Sequence, residues 1–481
     1  MVSAEVPVFF LRFSLGRGEE KMKEKDTTIG QAPIRDARTL GAPRMLVLGL
    51  QHMFAMFGAT VLVPILVQSY GLPLSTQTTL FFAGFGTLFF HLCTKLEIPA
   101  FLGSSFAFLG GFSAMANLDT GKYAAMAPGE KLQYACGGIV VAGLLYVILA
   151  LVVKVVGVHR VMRFLPPVVT GPIIILIGLN LAPSAVSNAS TCWWLALVSM
   201  AIIVAANIWG RGMVKIIPIL LGVVGGYVAA LLAGMVDFTG LSGSTLLGGE
   251  NPILGLQPFF TDFSGSVAKF DLSAILVMAP IAVASMMEHI GDISAISATV
   301  GENFIEKPGL HRTLVGDGVA TALAGLFGGP ANTTYGENTG VLALSKVYDP
   351  RVIRIAASLA ILLSFSPKFA ALVSAMPTAT MGGVSMVLYG MISAVGVRNV
   401  VENQVDFTNS RNVIVAAIIM VLAIGVNYSG AVTFTVGTAT ISLSGLAVAA
   451  ITGIALNAIL PGKDYEFGHD QKGDTAVNFK V

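Results

Sequence analysis

Long apolar runs alternate with short polar breaks from residue 45 to residue 460. Runs long enough to cross a bilayer lie near 45–69, 77–94, 132–153, 166–189, 193–209, 215–235, 272–298, 313–328, 352–374, 381–397, 412–427 and 436–460, twelve in all, on the criterion of roughly 20 residues per span. Two more segments, Ile98–Gly111 and Pro330–Val347, are apolar but too short or too polar to be ordinary spans. Counting both as membrane-inserted predicts an all-α polytopic membrane protein with fourteen segments and both termini on one side. Each odd segment is the third in a series of seven spans, so they are the third and tenth overall, and the Gly-, Ser- and Pro-rich loop 236–271 separates the halves. The fifth span of each half carries an echo, Pro166-x4-Gly171 against Pro377-x4-Gly382. Seven is odd, so the second repeat must be inverted relative to the first. Inverted repeats with paired broken segments point to a secondary transporter with a site near the bilayer midplane.

Charge placement tests the count. With the N-terminus inside, the short cytoplasmic loops carry Lys95, Lys154, Arg160, Arg163, Arg211, Lys215, Lys307, Arg312, Lys346, Arg351, Arg354, Arg398 and Arg411. The outer loops carry Lys122, Lys131, Lys269 and Lys368. Thirteen against four fits the excess of basic residues on the cytoplasmic side. Dropping either odd segment puts neighbouring basic loops on opposite sides, so both cross the bilayer or nearly do.

Composition agrees and narrows the class. Of 481 residues, 55% are hydrophobic and 11% charged, against about 25% charged in soluble domains; mean hydropathy is +0.81. A soluble enzyme is excluded in practice, and net charge +2 decides little. Cys93, Cys136 and Cys192 lie in or beside apolar segments with no metal or disulfide spacing, which reads as small packing residues. Residues 1–44 hold eight Lys or Arg and are too polar to span. The run Val6–Phe10 is short and followed by Arg12, so it is not a signal peptide. Met22-Lys-Glu-Lys fits an alternative start, in which case residues 1–21 are an upstream extension.

The candidate chemistry sits in the second odd segment and in the eighth span. Pro330–Gly340 packs Asn332, Asn338, three threonines, Tyr335 and Glu337 into eleven residues. Such a stretch survives at membrane depth only inside protein or against a cavity. In the eighth span Glu288 and Asp292 are four apart, hence on one helix face, about 6 Å apart along the axis. Glu288 falls near mid-span and Asp292 one turn closer to the cytoplasm. If Lys346 marks the interface and 338–346 is helical, Glu337 lies about 14 Å deep, near half of a roughly 30 Å hydrocarbon core. Two carboxylates at one depth suit a small neutral heterocycle with N–H donors. Either can also take up a proton and so couple transport to a gradient. Each residue has a plainer reading beside this one. Glu337 would cap a half-helix starting at Asn338; Glu288 would pair elsewhere; Asp292 divides between the site and a position behind it. His289 points about 100° away from Glu288 and reads as packing. Asp317 reads as structural, near a helix end. His52, after Gln51, has a hydrogen-bonding role beside the site or none. Phe106 stacks on a planar ring or belongs to the core.

At these residues the chain resembles the nucleobase–ascorbate transporter family, also called nucleobase:cation symporter 2, and within it the bacterial uracil permeases. The family signature, Gln/Glu-Asn-x-Gly-x4-Thr/Ser followed by a basic or small residue, here reads Glu337-Asn-Thr-Gly-Val-Leu-Ala-Leu-Ser345-Lys346. Similar too are Gln51–Thr60, Ile98–Phe108, Glu288-His-Ile-Gly and Asn332–Asn338, in order over roughly 45–460. The resemblance implies two intertwined seven-span repeats whose broken segments are short antiparallel strands leading into half-helices. It implies a core domain from 45–164 and 272–374 and a gate domain from 165–235 and 375–460. The flanking parts are tails at 1–44 and 461–481, both cytoplasmic, and an extracellular loop at 236–271. It implies proton-coupled uptake through the plasma membrane by alternating access. Glu288 and Glu337 would bind the base, with Phe106 beside the ring and backbone amides at Phe106–Ala107 and Tyr335–Gly336 on its carbonyls. Glu288, Asp292 and Glu337 are the proton-coupling candidates, and His52, Asn338 and Ser105 are supporting. It implies a homodimer through the gate domains.

Glu at 337 is typical of uracil carriers, where purine members usually have Gln. Asp292 stands where some uracil members have His, and Asp is common among purine carriers, so xanthine competes with uracil as the substrate and the proton-carrying group stays open. A passive channel or an anion exchanger of related fold is the alternative from another class. Carboxylates in the site disfavour anions, and no continuous polar stripe marks a channel. A membrane enzyme has the least support: no metal-ligand cluster, nucleophile–base set or phosphate loop stands out. No cofactor, no metal and no nucleic-acid partner are expected.

Overall fold

The structure, a computed structural model, describes residues 33–119, 121–236, 267–366, 372–373, 375–430, 432–436, 439–463 and 465. The expected tails before residue 33 and after 465, and most of the loop 236–271, lie outside the described residues. The first half runs α1 (Ala42–Ser69), α2 (Thr76–Cys93), β1 (Leu102–Ser104), a single 3₁₀ turn (Phe106–Phe108), α3 (Leu109–Ala116), α4 (Pro128–Val156), α5 (Val158–Met162), α6 (Pro167–Ser190), α7 (Trp193–Trp209), α8 (Met213–Ile216) and α9 (Pro218–Leu232). The second half runs α10 (Leu272–Met278), α11 (Ala282–Val300), α12 (Leu310–Leu326), β2 (Asn332–Thr334), α13 (Gly336–Ser345), α14 (Pro350–Ser364), α15 (Thr378–Glu402), α16 (Ser410–Ser429), β3 (Val432–Val436), β4 (Ala439–Leu443) and α17 (Gly445–Ile459). Among the described residues six helices are long and apolar enough to cross a membrane: α1, α4, α6, the joined α10–α11, α15 and α16. The protein is therefore a mostly helical membrane protein with several apolar spans.

Local sequence explains where these helices start and bend. Proline opens α4, α6, α9 and α14, where its missing N–H costs nothing. Ser75, Asp349, Asn409 and Ser444 cap α2, α14, α16 and α17 with their side chains, each satisfying a free N–H of the first turn. Pro280 lies in the 3₁₀ turn Ala279–Ile281 that joins α10 to α11, so one 29-residue span is interrupted where a proline cannot donate.

The two odd segments meet inside the bundle. β1 and β2 pair antiparallel, Leu102 opposite Thr334, Gly103 opposite Thr333 and Ser104 opposite Asn332. All six residues are buried. The pairing continues past the strands: Ser105 N–H donates to the Ala331 carbonyl at 2.8 Å and Tyr335 N–H to the Phe101 carbonyl at 3.0 Å. Each strand leads into a short helix, α3 and α13. A strap ahead of α1 holds the far end of α13: Ile34 N–H donates to the Lys346 carbonyl at 2.9 Å, and Tyr348 N–H to the Ile34 carbonyl at 2.9 Å. Arg351 reaches Asp36 at 3.0 Å, and Ala37 N–H reaches the Asp349 carboxylate at 2.7 Å. The Arg38 guanidinium hydrogen-bonded beside Asp36 holds that carboxyl down at about 2.

Several boundaries differ from the sequence reading: the run 215–235 breaks between α8 and α9, and α14 ends at Ser364 within the run 352–374. The run 436–460 is not one span: β3 and β4 form an antiparallel hairpin and the helix begins only at Gly445. The β-branched Val432-Thr-Phe-Thr-Val436 stretch favours an extended chain, and apolar content alone does not separate strand from helix. The half-helix after the polar stretch starts at Gly336, two residues before the expected Asn338.

The proline–glycine echo marks the tightest crossing. Pro166 and Pro377 sit just before α6 and α15, and these two helices pack backbone to backbone. A Cβ on Gly178 would stand 2.2 Å from the Tyr389 carbonyl oxygen, and one on Gly396 would stand 2.5 Å from the Ile175 nitrogen. Small residues at such a crossing let helices approach closely where lipid offers no hydrophobic drive. Gly178→Ala should therefore force the helices apart and destabilise the protein by about 1–3 kcal/mol. Gly390→Ala on the open side of α15, where an added Cβ meets nothing, should be neutral or slightly stabilising. Thermal unfolding of both variants in one detergent checks the difference; equal melting temperatures would contradict the crossing.

Candidate functional site

α11 carries Glu288 and Asp292, one turn apart. The β2–α13 junction carries Thr333 to Glu337, and the 3₁₀ turn carries Phe106. All three elements line one cavity of ≈ 270 Å³, whose wall also includes Phe54, Ile174 and Val395. The volume lies near the lower end for ligand sites, about 300–1,000 Å³, and suits a small molecule. Glu288 and Asp292 are buried at 9% and 4% exposure. Thr334 Oγ1 donates to Asp292 Oδ2 at 2.8 Å. The buried Oε2 of Glu288 has no hydrogen-bond partner among the described residues. A ligand N–H would satisfy it, and an unsatisfied buried acceptor costs about 1–3 kcal/mol. Three carboxylates around one cavity repel each other, and a proton or a donor-bearing ligand relieves that repulsion.

The wall is held from behind by polar contacts at several depths. Tyr335, 3% exposed, turns its phenol into the protein and donates to the Ser104 carbonyl at 2.9 Å. Ser104 Oγ and Thr60 Oγ1 lie 3.2 and 3.3 Å from the same oxygen. Its ring covers Gly103, where a Cβ would come within 2.3 Å; only glycine leaves that space. Phe106 packs edge-on against Tyr389 at 5.8 Å between centroids, which fixes the ring at the cavity edge. Asn338 donates to the His52 carbonyl at 3.0 Å and lies 3.2 Å from His52 Nδ1, tying α13 to α1. Ser105 Oγ lies 3.4 Å from Ser285 Oγ, which accepts from Tyr146 at 2.7 Å.

The structure thus places Glu288, Asp292, Glu337, Phe106, Tyr335 and Gly336 on one cavity wall. His52, Asn338 and Ser105 stand behind the wall, and Ala107 is buried in the turn beside Phe106. Asp317 is not near a helix end. It lies in the middle of α12, fully buried, 2.9 Å from His289 Nδ1. His289 is accordingly more than packing, although it also sits edge-on to Phe90 and Tyr146. The two polar side chains, on adjacent helices, thus face each other inside the protein, where such groups are tolerated. Sequence reasoning missed Thr334 and Tyr146. The period of two along β2 could have flagged Thr334; nothing local marks Tyr146, whose partner lies 139 positions away.

The chain matches a permease family over residues 43–432. The uracil permease of Bacillus caldolyticus is 40% identical over 439 residues, covering 89% of this chain and 94% of its own. That of Bacillus subtilis (strain 168) is 41% identical over 433 residues, covering 86% and 91%. The putative pyrimidine permease RutG of Escherichia coli (strain K12) is 36% identical over 452 residues, covering 91% and 94%. The transmembrane domain of a cyanobacterium bicarbonate transporter, BicA, superposes with a TM-score of 0.53 at 15% identity, covering 89% of this chain and 99% of that one. The murine Slc26a9 anion transporter in its inward-facing state gives 0.58 at 11% identity, covering 93% and 76%. At these identities the two structures bear on the fold alone.

The wall depends on the Tyr335 contacts. Tyr335→Phe strands the Ser104 carbonyl and should cost about 1–3 kcal/mol. Gly103→Ala should cost at least as much by displacing the ring. Thermal unfolding in detergent measures both, and wild-type stability in Gly103→Ala would show that the ring does not depend on that space.

Proposed function

This chain belongs to the xanthine/uracil permease family, and on that premise we propose that it is a uracil permease that imports its substrate across the bacterial plasma membrane together with a proton. The observation that carries the reading is the cavity wall formed jointly by Glu288, Asp292 and Glu337 with the paired broken crossings. Uracil offers N–H donors and carbonyl acceptors on one planar ring. Glu288 and Glu337 would accept from the N–H groups, in charge-assisted bonds about twice as strong as neutral ones. Backbone N–H groups at Phe106–Ala107 and Tyr335–Gly336, at the starts of the half-helices, would donate to the carbonyls. Phe106 would cover the ring. The coupled proton would reside on this same carboxylate cluster, and its arrival would remove one of the mutually repelling charges.

The finer architecture belongs to the same proposal. Fourteen segments in two inverted repeats, with both termini cytoplasmic, account for the basic loops and for the antiparallel meeting of the two odd segments. α1–α5 with α10–α14 would form the core that holds substrate, and α6–α9 with α15–α17 the gate. Movement of core against gate would give alternating access. Dimerisation through the gate rests on the family resemblance. Asp292 supports a second reading, in which xanthine or another purine is also carried.

Uptake of labelled uracil into proteoliposomes, with and without an inward proton gradient, tests the proposal. Gradient-independent uptake refutes the coupling, and absence of uptake refutes the substrate. Competition by xanthine separates the two substrate readings. Glu337→Gln removes a charge-assisted bond worth about 1.5–3 kcal/mol and should weaken uracil binding roughly 10- to 150-fold. Unchanged binding by the folded variant removes Glu337 from the site. Asp292→Asn should change the pH dependence of uptake more than its affinity; an unaltered profile assigns the coupled proton elsewhere.

A further inference from the structure

On the far side of α11 from the cavity, a second recess of ≈ 500 Å³ lies between the ends of α2, α4 and α12. Its floor is apolar, with Val147, Ile148, Leu151 and Val315. Its rim is basic. Lys154 closes the last turn of α4 and Arg312 the first turn of α12, and both line the recess with His311 and Cys93; Lys95 follows Cys93 by two residues just past the end of α2. None of Lys95, Lys154 and Arg312 pairs with a carboxylate among the described residues, although the nearby His159 faces Glu306 and the Arg351 and Arg398 side chains each have an acidic partner. Arg312 spends one donor on the Cys93 carbonyl at 3.3 Å, and its guanidinium carries others.

Lipid-facing helices normally present a smooth apolar surface. Here Ile148 and Leu151, 57% and 60% exposed, border a recess instead, and three unpaired cations stand at one end of it. We propose that this recess is a binding site for an anionic phospholipid, with the phosphate among Lys95, Lys154 and Arg312 and an acyl chain along Val147, Ile148 and Leu151. Charge complementarity selects the headgroup, and the apolar floor selects a lipid over a free anion. Basic pockets between spans on the side rich in Lys and Arg suit such headgroups. The recess touches both α4 and α12, the latter carrying Asp317 and so the buried pair with α11. A bound lipid would brace the end of the bundle that supports the substrate wall.

The test uses the full-length protein in mild detergent, titrated with phosphatidylglycerol, phosphatidylcholine or glycerol phosphate and read by native mass spectrometry. Phosphatidylglycerol should be retained in preference to both others. Lys154→Gln, whose Nζ has no hydrogen-bond or ion-pair partner among the described residues, should weaken it about 5-fold, and Lys154→Gln with Arg312→Gln about 30-fold. Lys122→Gln, whose partner is Asp271, should leave it unchanged. Equal retention of phosphatidylcholine, equal binding of glycerol phosphate, or wild-type affinity in Lys154→Gln would each overturn the proposal. Should the double variant not fold, the single variant decides.

Discussion

Backbone hydrogen bonds between β1 and β2 are the constraint from which the rest of the molecule follows. Irregular chain at membrane depth leaves N–H and C=O groups that lipid cannot satisfy, each at a cost of several kcal/mol. Here two irregular segments, distant in sequence, satisfy each other along three paired positions and two flanking bonds. Neither could stay broken alone. Because they are antiparallel, the short helices that follow leave the meeting point in opposite directions, and their N-termini stay near it. The surrounding helices then have a definite task, which is to keep both segments from lipid. Thr87, Thr321 and Asn332 do this at close range: Leu102 N–H donates to Thr87 Oγ1 at 2.9 Å, Asn332 N–H to Thr321 Oγ1 at 3.1 Å, and Asn332 Nδ2 to the Phe82 carbonyl at 3.2 Å.

The same constraint explains why charge collects on α11. A helix packed on the strand junction is shielded from lipid over most of its surface, so acidic residues can stand there if each has an answer. Asp292 is answered by Thr334, and His289 on another face by Asp317. On α11 the buried Oε2 of Glu288 has no hydrogen-bond partner among the described residues. The structure thus distinguishes Asp292, engaged with the strand junction, from Glu288, whose Oε2 is left available. Under the proposed function that difference assigns recognition to Glu288 together with Glu337 on the same cavity, while Asp292 is hydrogen-bonded to Thr334 of the strand junction.

Much of this was legible in the chain. The polar stretch 330–340, its apolar counterpart at 98–111 and the Glu288–Asp292 spacing identified the wall, because lipid tolerates neither polar runs nor mid-span charge without a reason. The proline–glycine echo, legible as a sign of the repeat, falls on α6 and α15, two helices that the structure packs together. What could not be read depends on partners far apart in sequence. Tyr146 with Ser285, Asn338 with His52 and Asp317 with His289 are settled by packing, and Asp317 was misplaced toward a helix end because an apolar run has no internal mark of where its middle will be covered. The β3–β4 hairpin was hidden for a related reason, since apolar β-branched residues serve a span and a strand equally well.

The likeness in fold to a bicarbonate transporter and an anion transporter raises the question of what selects the ligand, since fold alone does not. Half-helix N-termini bring partial positive charge to the cavity, roughly +0.5 each, and would by themselves favour an anion. In this chain Glu288, Asp292 and Glu337 face that positive potential on the same cavity. The carboxylates oppose an anion placed beside them, while Lys215 on the same cavity adds a full positive charge to those of the half-helix N-termini, so net charge alone does not choose the ligand. A neutral ring with donors on one edge and acceptors on another meets attraction from both sets, carboxylates to its N–H groups and backbone amides to its carbonyls. Under the proposed function the substrate class depends on these three side chains, placed on and beside the junction that the two odd segments build by pairing their backbones.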